Sequence, residues 1–179
     1  MKANEFVTKL KELAPAKPVL LGCGYGDDEA DQFIDSFACR SRSERLGIET
    51  NGDPMLELIN GWDLSHVEIG PINFHSHPKQ FESHLEIGTV EGDRIAYRLD
   101  ATDYVLLDWR DLNHVMCEIA PHGESFLNGL IEIAGCLAKN AVEEIDLDDE
   151  DVGAEFKAKC VEAFGGSKYE AFCTSILGI

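Results

Sequence analysis

Apolar residues recur with helical spacing at both ends of the chain and with strand spacing in its middle. Near the start, Phe6, Val7, Leu10 and Leu13 share one helical face, and Pro15 and Pro18 close that helix. The run "PVLLGCGYG" (18–26) is short, apolar and ends in glycines. In "DDEADQFIDSF" (27–37), Ala30, Phe33, Ile34 and Phe37 form a helical face, with Asp27, Asp28 and Glu29 where the helix dipole favours anions. "CRSRSERLGIETNGD" (39–53) is polar and reads as a loop or frayed helix. "PMLELINGW" (54–62) predicts a helix opened by Pro54 and closed by Gly61.

The middle changes period. "HLEIG" (84–88), "DRIAYRLD" (93–100) and "YVLLDW" (104–109) are short runs separated by turn residues, and Ile95, Tyr97 and Leu99 alternate with Arg94, Ala96 and Arg98. These predict an antiparallel meander. Helical spacing returns in "ESFLNGLIEIAGCLAKN" (124–140), where Phe126, Leu130, Ile133, Ala134 and Leu137 line up and Ser125 or His122-Gly123 can cap. The acid run "EEIDLDDED" (143–151) reads as a solvated linker or helix start; it lacks the glycine and spacing of a calcium loop. "AEFKAKCVEAF" (154–164) is amphipathic and breaks at Gly165-Gly166. Helices, then sheet, then helices predict an α+β fold, an antiparallel meander packed against N-terminal and C-terminal helices. Residues 1–140 form the domain, and 141–179 form an acidic linker and helical extension packed on it.

Charge narrows the function. With 34 acidic against 15 basic residues, the formal net charge is −19. Such a surface repels phosphate backbones and anionic lipid, so neither nucleic acid nor a membrane is an expected partner, whereas a basic protein is attracted. The six cysteines show no CxxC spacing, and "MKANEFVTKLKELAPAK" has no apolar core of a signal peptide. The expectation is a cytoplasmic protein with reduced thiols. Trp62 and Trp109 are expected in or near the core.

Two local motifs point towards cofactors. "INFHSHPKQFESH" (72–84) resembles the JAMM metalloprotease motif, in which two histidines and an acid bind zinc and an upstream glutamate activates water. The corresponding candidates are His75, His77 and either His84 or Glu86 as ligands, with Glu68 as base. The Ser83 step comes two residues early, and the acid is Glu where the motif has Asp. "VLLGCGYG" (19–26) resembles the glycine-rich loop of class I methyltransferases at Gly22, Gly24 and Gly26, but Leu20 replaces the acid and the strand–helix alternation of that fold is absent.

A third resemblance covers more of the chain. Asn60-Gly61, Ile87-Gly88, Gly92-Asp93, Val105 with Asp108, Ile119-Ala120 and Ser125-Phe126 follow one another in an order that resembles the SUKH superfamily of bacterial immunity proteins and glucan-synthesis regulators. It spans roughly residues 26 to 137. The resemblance implies a non-enzymatic binding module without cofactor, an immunity protein that occludes a basic toxin. The partner-binding candidates are Glu91, Asp93, Asp100, Asp103, Asp108 and Asp111, in turns and strand ends. A regulatory scaffold without a toxin partner and a zinc hydrolase at the histidine stretch are the alternatives.

Overall fold

The computed structural model describes residues 1–178. Helix α1 (Ala3–Leu13) is followed by α2 (Lys17–Gly22) and α3 (Asp27–Asp35). Pro18 sits in the first turn of α2, where its missing N–H costs nothing, so "PVLLG" is helix and not a strand entering a glycine loop. This removes the methyltransferase-like reading of Gly22, Gly24 and Gly26. Gly24 makes the turn with φ 94°, and the Gly26 N–H donates to Glu29 Oε2 at 2.8 Å to start α3.

Next come β1 (Arg40–Ser41), α4 (Pro54–Gly61) and β2 (Trp62–Asp63), with β1 and β2 pairing as a small separate sheet. The main sheet has six strands: β3 (Glu68–Ile69), β4 (Ile72–Phe81), β5 (His84–Val90), β6 (Asp93–Arg98), β7 (Tyr104–Leu107) and β8 (Val115–Ala120). Each strand hydrogen-bonds to the next in sequence, and every pairing is antiparallel. Helices α5 (Gly123–Ala141), α6 (Glu150–Phe164) and α7 (Glu170–Leu177) complete the chain. The architecture is α+β, with the three predicted runs as β5, β6 and β7.

The meander is wider than the sequence pattern predicts. "INFHSHPKQF", outside the three runs read as strands, is strand β4. It pairs with β5 through Phe74–Gly88 and again through Lys79–Glu86, so residues 75–78 bulge out opposite one residue of the partner strand. Arg42 holds the bulge: its Nη2 donates to the Ser76 carbonyl while its Nε donates to the Trp62 carbonyl at 3.0 Å.

One face of the sheet packs on the helices. Phe6 and Leu10 of α1, Leu56 and Ile59 of α4, and Phe126, Leu130 and Ile133 of α5 join Ile87, Ile95, Tyr104 and Ile119 in the main core. Phe156, Phe164 and Phe172 belong to the same core, so α6 and α7 pack on the same body as the sheet. On the other face Ala96, Val105 and Leu107 form a small separate cluster with Phe81. Among the described residues, no helix is long and apolar enough to cross a membrane.

Candidate functional site

The sheet face turned away from the main core carries most of the charged chemistry. Strand alternation and register set it in rows. One row runs Lys79, Glu86, Ala96, Val105, Glu118; the next runs Thr89, Arg94, Leu107, Val115. Two sets of ion pairs frame the apolar strip of Ala96, Val105 and Leu107. On one side Glu86 is clamped, with Oε1 2.7 Å from His75 Nε2 and Oε2 2.7 Å from Arg94 Nη1. On the other, Arg98 pairs with Asp103 through two bonds and Lys168 pairs with Glu118. The Asp103 carboxylate holds the Arg98 guanidinium above its ordinary pKa.

Glu86 is only 4% exposed, unusual for a carboxylate, and it persists there because both oxygens have a donor. The Arg94 guanidinium also lies 6.0 Å from the Phe81 ring centre, and His84 stacks on that ring at 5.4 Å. The histidine stretch is thus committed to neighbours. His75 bonds Glu86, His84 stacks on Phe81, His77 is exposed in the bulge, and Glu68 lines a different depression between α3 and α5. Among the described residues, no three His, Cys, Asp or Glu side chains are grouped so that they could hold a metal ion. The arrangement does not fit the zinc site suggested by His75, His77 and His84, with Glu86 held by a guanidinium instead.

The six acidic candidates divide between opposite ends of the meander. Asp100 and Asp103 lie in the β6–β7 turn, and Asp103 is engaged by Arg98. Glu91, Asp93, Asp108 and Asp111 lie at the other end: Glu91 in the β5–β6 turn, Asp93 at the start of β6, and Asp108 and Asp111 in the β7–β8 loop. The β5–β6 turn consists of Glu91 (φ 51°) and Gly92 (φ 101°), the positive values that a two-residue type I′ hairpin requires. That geometry places the Glu91 carboxylate at the tip. The two segments are tied together by the Trp109 N–H, which donates to Asp93 Oδ1 at 3.1 Å. Within the second loop, Asp108 accepts from the Arg110 N–H and Asp111 from the Asn113 N–H, fixing its shape.

Trp109 stands at this end and is 57% exposed, contrary to its expected place in or near the core; Trp62 does pack against the core. The Arg110 guanidinium lies 4.8 Å from the Trp109 ring centre. Beside the indole is an open concavity of about 520 Å³ lined by Glu86, Thr89, Glu91, Gly92, Arg94 and Trp109. Val115 and Met116, also exposed, extend the apolar surface along β8. Trp109, Val115 and Met116 are thus large apolar side chains left exposed in this part of the chain, and tryptophan and arginine are residue types that carry much of the energy where surfaces do bind. The concavity brings Arg94 and Trp109, which no sequence motif singles out, beside Glu86, the acid of the histidine motif.

No family model, no curated protein and no solved structure matches the chain.

Proposed function

We infer that the chain is a non-enzymatic protein-binding module, an immunity protein of SUKH type that neutralises a basic toxin domain by covering its active site. The observation that carries this reading is Trp109, 57% exposed at the end of the sheet and surrounded by Glu91, Asp93, Asp108 and Asp111. An exposed indole supplies desolvation energy at the centre of an interface, and surrounding carboxylates steer a cationic partner towards it. The net charge of −19 adds long-range attraction that falls with salt. The motif order from Asn60-Gly61 to Ser125-Phe126 supports the family part of the reading.

Co-expression of the chain with the toxin domain encoded beside its gene tests this. The reading expects restored growth of the host cells and a co-purifying complex. Continued toxicity with both proteins folded and expressed overturns it.

A further inference from the structure

We propose that the concavity beside Trp109 receives an arginine side chain of the partner, its guanidinium stacked on the part of the indole that lines the concavity. This rests on the reading of the Trp109 end as a docking surface, and names the group that docks there.

Three features select a guanidinium. First, the Trp109 ring already accepts one guanidinium, that of the exposed Arg110 4.8 Å from its centre, while Trp109 also lines the concavity. Second, the surrounding charge is negative. Glu86, Glu91, Asp93, Asp108 and Asp111 outnumber Arg94 and Arg110, and the Arg94 charge is matched by Glu86 at 2.7 Å. Third, the concavity offers acceptors at different depths. Glu91 sits at the hairpin tip, Thr89 lies on the wall, and each Glu86 oxygen has one donor where a carboxylate oxygen accommodates two. A planar group with five N–H donors uses a stacked face and several in-plane acceptors together, which a lysine ammonium cannot do.

The test is isothermal titration calorimetry of tri-arginine amide and tri-lysine amide into the full chain at low salt. Wild type, Trp109→Ala and Glu91→Gln are compared, with far-UV circular dichroism verifying that each is folded. The expected result is saturable binding of tri-arginine that weakens by about fivefold or more in Trp109→Ala, the loss of a cation–π contact, and also weakens in Glu91→Gln. Tri-lysine binds more weakly. Equal binding of tri-lysine, or tri-arginine binding unchanged in Trp109→Ala, overturns the proposal. Absence of any tri-arginine response while the neighbouring toxin is still captured overturns this inference alone; absence of both overturns the docking reading as well.

Discussion

At the scale of the residue, the fold turns on Asp53. Its Oδ1 accepts from the Met55 and Leu56 N–H groups at 2.9 and 3.0 Å and from the Tyr104 hydroxyl at 2.7 Å; its Oδ2 accepts from the Gly123 N–H at 2.7 Å. One carboxylate thereby caps α4, ties down the start of α5 and satisfies a tyrosine with no solvent exposure on β7. Asp53→Ala loses a cap and leaves that hydroxyl unpaired, a cost of about 3 kcal/mol in chemical denaturation. Asp53→Asn falls between, because its amide N–H₂ must face either the Gly123 N–H or the three donors at Oδ1. Gly123 completes the device: a Cβ there would lie 2.1 Å from Asp53 Oδ1. The sequence shows Pro54 opening a helix, but Asp53's partners Tyr104 and Gly123 are 51 and 70 residues away from it, beyond the reach of local pattern. Trp109 is hidden for a different reason. An apolar side chain says that burial is favourable, never that it occurs, and only the β7–β8 loop geometry turns this one outward.

At the scale of the element, β5, β6 and β7 are legible because their side chains alternate or run apolar between turn residues. β4 is not, since the bulge at residues 75–78 interrupts its alternation and puts His77 and Pro78 where a loop would carry them. β8 is an outermost strand with its first two residues exposed and its last two buried, so it shows no period of two. α2 has six residues, fewer than two turns, and its apolar run reads equally well as a strand. The histidines are kept from grouping at this same scale: two at i and i+2 share a face only in a regular strand, and the bulge removes that regularity. The pairing of β4 with β5 is testable at Gly88. A Cβ there would lie 2.3 Å from the Asn73 carbonyl oxygen and 3.2 Å from Phe74 Cα, so backbone must move. Gly88→Ala is expected to destabilise the protein by about 2–3 kcal/mol and to speed hydrogen exchange in β4 and β5 ahead of α5. Unchanged stability would mean that β4 does not pair in this register.

At the scale of the whole molecule, burial and charge make separate predictions. Desolvation raises the buried thiols: Cys173 to about 12, Cys136 to about 11, and Cys160 well above the ordinary range. Burial likewise lifts the Tyr104 hydroxyl far above its usual value, with the Asp53 charge adding to the effect. These folded values exceed the unfolded ones, so the stability they contribute is complete below about pH 9 and is lost as pH rises towards 12. Denaturation under reducing conditions is therefore expected to show stability falling steeply above pH 9, and a flat profile there would contradict the burial of these groups. Charge acts outside the core. The −19 balance accelerates encounter with a basic partner, and raising salt is expected to slow association far more than it speeds dissociation.

On the proposed reading, partner docking is confined to the Trp109 end of the meander. The dissociation constant for the proposed partner, a basic toxin domain, measured for wild type, Trp109→Ala and Asp100→Asn, tests it most directly. Asp100 carries the same charge as the acids around Trp109 but sits in the β6–β7 turn at the opposite end. The expected result is weakening by about 30-fold or more for Trp109→Ala, the loss typical of a central aromatic anchor, and less than about twofold for Asp100→Asn. Equal effects of the two substitutions, or a complex indifferent to Trp109→Ala, would contradict it.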